Sequence, residues 1–219
     1  MALSWATLGP RDVDFPMPEP CTKSWDEGAK VDLRGWDERY RLRERVAEDF
    51  EAAPNPLLME TVKDMAPGRA LDLACGTGRN ALWLAEQSWT VTAVDGSAAA
   101  IEVLRRRASE RGLTLDARVA DLESSQFRID RAAWDLIAMC YYLQLDLFEA
   151  AKQGLVPGGI VLVIIHASEV GEEPTSHSVR SGELGNYFRG WEILHNYEGA
   201  PRDPSHRRRV AEIVARRPR

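Results

Sequence analysis

Three aspartates close three successive short apolar runs, and two glycines lie between the first and the second. Asp72 sits inside Ala70-Leu-Asp-Leu-Ala-Cys-Gly-Thr-Gly-Arg-Asn-Ala81, Asp95 ends Thr90-Val-Thr-Ala-Val-Asp95, and Asp121 follows in Val119-Ala-Asp-Leu122. Gly76 and Gly78 fall where a strand gives way to a helix. With no Cβ there, the backbone turns sharply and a ligand can approach it closely. Together with Ala81 they satisfy G-x-G-x-x-G/A, the dinucleotide turn, which alone does not separate one cofactor from another. The acids are more discriminating. A carboxylate inside the first strand suits a ligand bearing an ammonium group rather than a pyrophosphate. Asp95, 17 residues after Gly78, can accept both hydroxyls of a ribose. Asp121 can accept from the exocyclic amine of an adenine. Each acid alone reads equally well as a surface or capping residue. Three of them at the carboxyl ends of successive strands converge on one crevice and favour an adenosine-plus-amino-acid ligand.

The elements that must hold these residues alternate in type. Strand patterns at Ala70–Ala74, Thr90–Val94, Leu115–Val119, Trp134–Met139 and Ile160–Ile165 are separated by helical patterns at Asn80–Gln87, Ala98–Arg111 and Leu147–Gly154. Such β-α-β order predicts an α/β, doubly wound, mostly parallel sheet with helices on both faces. After a short helix at Glu183–Phe188, Trp191–Tyr197 and Arg208–Val214 read as strands joined by a turn-rich stretch. There is no room for a crossover helix between them, so they form an antiparallel hairpin at the sheet edge. The expected sheet has seven strands. Upstream, charged residues from Gly35 to Phe50 look helical, Pro54 and Pro56 interrupt, and a second helix runs from Leu57 to Met65. Residues 1–34 read as a proline-rich arm and 35–219 as the domain.

Bulk properties restrict the classes further. In 219 residues, 44% hydrophobic and 28% charged, no apolar run approaches the length needed to span a bilayer. The first twenty residues hold four prolines and no signal-peptide pattern, so the expectation is a cytoplasmic protein with no membrane partner. A net charge of −6 argues against a nucleic-acid partner. The arginines at 202, 207–209, 216, 217 and 219 read more simply as a solvated hairpin and chain end. Cys21, Cys75 and Cys140 show neither metal spacing nor a disulfide framework.

The run Leu71 to Ala85 resembles the first motif of class I S-adenosylmethionine-dependent methyltransferases, and its Gly78-Arg-Asn80 ending resembles the branch of tellurite-resistance methyltransferases. Val91–Asp95, Val119–Leu122, Leu155-Val-Pro-Gly-Gly-Ile160, Gly182–Leu184 and Phe188–Trp191 resemble later family motifs in order. The resemblance covers roughly residues 35 to 217. It implies that S-adenosylmethionine binds, leaving S-adenosylhomocysteine as product. Gly76 and Gly78 would pack against its methionyl part, with Asp72, Ala74, Cys75 and Asn80 around them. Asp95, with Gly96 and Ser97, would hold the ribose, and Asp121 with Leu122 the adenine. Met139 and Cys140 would line the wall near the sulfonium. Trp36-Asp-Glu-Arg-Tyr40 is similar to an N-terminal motif that folds over the cofactor, which brings in Trp36, Arg39 and Tyr40. An aromatic ring near a sulfonium can stabilise its charge. Packing of Trp36 and Tyr40 on the domain is the plainer alternative.

Methyl transfer is an in-line displacement on an activated carbon, so alignment and exclusion of water matter most and no triad is required. The acceptor, expected to be a small molecule, belongs beside the loops after the fourth and fifth strands. Tyr141, Tyr142 and His166 fall there. His166 is the candidate base or acceptor-orienting group, with Tyr141 beside it, although a hydrogen-bonded histidine at a strand end explains it equally simply. Arg180 reads as an anion-attracting or merely solvated charge, and Cys140 as a small wall residue. Two further readings stay open: a nicotinamide-dependent oxidoreductase using the Gly76–Ala81 turn, and a catalytically silent adenosylmethionine-binding protein. The chain is expected to be a monomer or a homodimer.

Overall fold

A computed structural model describes residues 32–42, 53–124 and 127–219. Residues 1–31 of the expected arm, Cys21 among them, lie outside these segments, as does the part of the first expected helix beyond Leu42. In chain order the elements are α1 (Leu33–Arg41), α2 (Pro56–Val62), β1 (Arg69–Leu73), α3 (Arg79–Glu86), β2 (Thr90–Asp95), α4 (Ala98–Glu110), β3 (Asp116–Val119) and β4 (Trp134–Cys140). They continue with α5 (Leu145–Gly154), β5 (Leu155–Ala167), β6 (Ser178–Val179), a 3-10 turn (Leu184–Phe188), β7 (Glu192–Gly199) and β8 (Val210–Arg216).

The sheet runs β3-β2-β1-β4-β5-β8-β7, and β6 pairs with the end of β5. Strands β1 to β5 are parallel, while β8 lies antiparallel to both β5 and β7. The doubly wound sheet and its terminal hairpin follow the sequence expectation. It has eight strands rather than seven, because Ser178–Val179 adds a two-residue strand beside His166 and Ala167. Strand β5 also starts five residues before the expected Ile160. It leaves α5 directly at Leu155, which pairs with Trp134 across a bulge. Gly159 makes this possible, since a Cβ there would meet the backbone oxygens of Val156, Trp134 and Asp135 at 3.0 to 3.2 Å.

Alternation along the buried strands sorts their side chains into two layers. Ala70, Ala93, Leu136, Ala138, Leu162 and Ile164 join Leu58 of α2, Leu82 and Leu84 of α3, and Ile101 and Leu104 of α4 on one face. Leu71, Leu73, Ile137, Met139, Val161, Val163 and Ile165 join Leu147, Phe148 and Ala151 of α5 on the other. Strand order reverses between β1 and β4, so their carboxyl ends open a crevice.

The helix starts are locally encoded. Asn55 accepts from Leu57 N at 2.9 Å ahead of Pro56, and Ser97 accepts from Ala100 N at 3.2 Å to begin α4. Helix α1 stops at Arg41, where Leu42 turns extended.

Candidate functional site

The turn after β1 is shaped by backbone that side chains resist. Gly76 and Gly78 have φ of 54° and 83°, and Ala74 beside them has 53°. A Cβ on Gly76 would meet the Tyr40 hydroxyl at 2.8 Å, and one on Gly78 would collide with Leu104. Gly78 then starts α3 with no side-chain cap. Asp95 faces this turn from the end of β2. One of its oxygens accepts from Gly76 N and the other from Ser97 N, both at 2.8 Å. The carboxylate therefore ties the glycine turn to the start of α4.

Asp72 lies between them on the α3 face. It is 2% exposed, and Oδ2 has no hydrogen-bond partner. Burial pushes its carboxyl up to about 7, with Arg79 opposing and Asp95 adding to the rise. A native fold rarely leaves such an oxygen orphaned without a use for it. Cys75 and Cys140 are partly buried free thiols, and burial drives both well above the ordinary thiol range. That makes them wall residues rather than nucleophiles.

Helix α1 covers this turn. Asp37 accepts from Ser97 Oγ and Ala99 N, each at 2.8 Å, and these bonds hold its carboxyl below the usual range. Leu33 lies against Gly96. Trp36 and Tyr40 have ring centroids 6.0 Å apart, and Arg39 is exposed with its guanidinium 4.9 Å from the Trp36 ring. Asp121 is exposed just past β3, where Oδ1 accepts from Glu123 N at 2.9 Å. Leu122 is buried beside it, and its carbonyl accepts from Gln144.

Two residues expected at the cofactor, Met139 at its wall and Asn80 beside the glycine turn, are buried. Met139 is 1% exposed and packs toward α5. Period-two alternation puts it on the face opposite Cys140, so its side chain is core and does not line the wall. Asn80 is buried too, and its amide is committed to Asn55 N at 2.9 Å and to the Cys140 thiol.

A second wall forms where β4, β5 and the β7–β8 turn meet. Tyr141 has φ of 63° and continues β4 by bonding its N–H to the Ile164 carbonyl. Its ring stacks on His206 with centroids 3.3 Å apart, and His166 lies 5.8 Å from Tyr141 and 6.1 Å from His206. His166 Nδ1 is buried without a partner, and burial followed by the Arg208 charge lowers its pKa. Burial raises the Tyr141 and Tyr142 phenols. Tyr142 turns aside to bond Gln144 at 2.8 Å.

Sequence reasoning placed Tyr141 and His166 here but missed Asn55, Arg79 and Asp203, which meet behind Tyr141. The Gly-Arg-Asn signature contains Arg79, so that one signal was present. Asp203 lies 124 residues further on in a turn, with nothing local to mark it. Elsewhere, Arg180 pairs with Glu173 at 2.8 Å, and the His195 ring bonds the buried Glu212 at 2.9 Å. Arg202, Arg209 and Arg216 are likewise paired with glutamates.

A reversed strand order, a glycine turn after β1, an acid ending β2 and an antiparallel β7–β8 edge define the class I S-adenosylmethionine-dependent methyltransferase fold. The crystal structure of TehB from Haemophilus influenzae superposes with a TM-score of 0.62 at 24% identity, over 73% of this chain and 61% of that one. The profile of the family described as tellurite resistance protein TehB matches residues 53–202, and the chain belongs to that family.

Among curated relatives, hemagglutinin 1 of Eikenella corrodens is 30% identical over 151 residues, covering 65% of this chain and 50% of that protein. A protein described as a probable S-adenosyl-L-methionine-dependent methyltransferase TehB, from Haemophilus influenzae, is 23% identical over 147 residues, 63% of this chain and 50% of it. The chain thus spans about half the length of these relatives.

The crevice fits S-adenosylmethionine. The orphaned Asp72 oxygen supplies an acceptor for an ammonium, the glycine turn leaves room for close approach, and the Asp95 carboxylate ends β2 beside that turn. Among the described residues, no helix is long and apolar enough to cross a membrane.

Proposed function

We propose that this chain is an S-adenosylmethionine-dependent methyltransferase acting on a small molecule, a thiol or another soft chalcogen nucleophile. The observation that carries the reading is Asp72, a carboxylate 2% exposed with an oxygen that no protein group satisfies, set beside the glycine turn and Asp95. A nicotinamide dinucleotide would bring a pyrophosphate, not an ammonium, to that point.

When bound, the cofactor supplies a methyl carbon activated by its sulfonium. The protein's part is binding, alignment and exclusion of water. Asp72 takes the ammonium, Gly76 and Gly78 give backbone access to the methionyl chain, and Asp95 with Gly96 and Ser97 holds the ribose. Asp121 and the Leu122 backbone meet the adenine. Trp36 and Tyr40 on α1 close over the turn. Cys140 forms an apolar wall.

The acceptor side is Tyr141 and His166. They share the α3 face with Asp72 and Cys140, which puts acceptor and cofactor on one side of the sheet. Burial and Arg208 keep His166 neutral at neutral pH, so it can take a proton from an acceptor thiol. Its buried Nδ1 lacks a protein partner, consistent with a role toward a ligand.

A screen with labelled S-adenosylmethionine against thiols, selenite, tellurite and small amines tests the proposal. Methylation of a thiol or chalcogen compound is expected. Cofactor binding without transfer to any acceptor would make the chain a silent binder instead. His166→Ala should slow transfer to a protonated thiol by about 10²-fold or more. An unchanged rate would remove His166 from the reaction.

A further inference from the structure

We propose that Asp203 is the positioning residue of the acceptor wall: it draws the β7–β8 turn onto the start of α3 and holds the Tyr141 ring in its stack with His206. This rests on the reading of Tyr141 as an acceptor-side residue.

Within the turn, Ala200, Arg202, Pro204, Ser205, Arg207 and Arg208 are exposed, whereas Asp203 is 4% exposed. Its two oxygens face different ways. Oδ1 stays within the turn and accepts from Ser205 N at 3.0 Å and Ser205 Oγ at 2.6 Å. Oδ2 leaves the turn and accepts from Arg79 Nη2 at 2.5 Å, from the Tyr141 hydroxyl at 3.2 Å and from Asn55 Nδ2 at 3.5 Å. Arg79 Nη1 adds bonds to Ser205 Oγ at 3.2 Å and to the Ala53 carbonyl at 3.4 Å.

One carboxylate therefore gathers four segments of the chain behind a single ring. A turn that needed only local closure would use Oδ1 and leave Oδ2 to water. Tyr141 needs such an anchor, because its left-handed backbone is costly for a residue with a Cβ. The groups facing its ring and hydroxyl are Asp203, Asn55, Arg79, His166, His206 and Cys140. Burial pushes the Asp203 carboxyl upward, yet the hydrogen bonds from Arg79 and Ser205 prevail and hold it at about 2. The anchor is thus charged throughout the neutral range. Asp203 makes no bond to Gly76, Gly78 or Asp95; its link to the cofactor side runs through Arg79, next to Gly78, and through Asn55, which bonds Asn80.

The test is proton NMR of the histidine rings in Asp203→Asn, with S-adenosylhomocysteine titrated calorimetrically into the same protein. His206, stacked on Tyr141, carries a ring-current shift in the wild type. In Asp203→Asn its resonances should move toward their free-histidine positions while S-adenosylhomocysteine affinity stays within threefold. A merely structural role would lower affinity and stability together. His206 resonances that stay in place would overturn the proposal. Should that variant fail to fold, Tyr141→Phe decides, since it keeps the ring and deletes only the hydroxyl that Asp203 holds. His206 must move there too, and an unmoved resonance rejects the anchor. A wild-type chain that fails to bind S-adenosylhomocysteine would refute the cofactor reading, whereas the His206 signal would still report on Asp203.

Discussion

Asp72 gives the folded chain a proton that the unfolded chain gives up. Its carboxyl titrates at about 7 when folded against 3.8 in the reference state. Between those values the folded state binds more protons than the unfolded one, so this group's contribution to stability declines as pH rises from about 4 to about 7. Asp72→Asn removes that penalty. In urea unfolding the variant should match the wild type near pH 4 and exceed it at pH 8, by up to about 4 kcal/mol. It should also bind S-adenosylhomocysteine more weakly, because the ammonium loses its acceptor. A variant no more stable at pH 8 would mean that Asp72 is not the buried, unsatisfied acid described. Asp95→Ala should weaken S-adenosylhomocysteine by about 1–3 kcal/mol, the scale of a lost charged hydrogen bond. Calorimetry that finds unchanged affinity would detach Asp95 from the ribose. These two acids were legible in the sequence because strand ends are marked locally, by apolar runs and glycine turns. Met139 was misjudged for an equally local reason. Neighbours on a strand face opposite layers, and the motif does not state which face is the wall.

At the scale of elements, Asp37 supplies the hydrogen bonds that tie α1 to α4, beside the contacts of Leu33 with Gly96 and Tyr40 with Gly76. Asp37 accepts from Ser97 Oγ and Ala99 N, joining the lid to the first turn of α4. Asp37→Ala should cost about 1 kcal/mol of cap stabilisation and speed amide exchange across Leu33–Arg41, with exchange in β1 and β4 unchanged. Uniform protection in the variant would show that α1 is held by other contacts. The sequence marked a helix here through its charged, periodic run, and the described part of it is Leu33–Arg41. The mostly parallel sheet and the terminal hairpin were readable from alternating patterns and from the missing crossover helix. The two-residue β6 and the early start of β5 were not. The first is too short to carry a pattern, and the second passes through Pro157-Gly-Gly, which reads as a loop and is accommodated only by a bulge.

At the scale of the molecule, the sheet divides the chemistry from the support. Asp72, Cys140, Tyr141 and His166 share the face of α2, α3 and α4, while α5 and the 3-10 turn cover the other with an apolar cluster built around Phe148 and Phe188. The residues proposed for the cofactor sit at consecutive strand ends, which local order marks. The proposed acceptor wall draws on residues 55, 79, 141, 166, 203 and 206, and only the finished fold brings these together. On the proposed reading, the glycine turn and its three acids make a site for S-adenosylmethionine rather than for a dinucleotide. Calorimetric titration of the purified chain with S-adenosylmethionine, S-adenosylhomocysteine and NAD tests it most directly. Binding of the first two without NAD is the predicted result, and NAD binding without S-adenosylmethionine would contradict it.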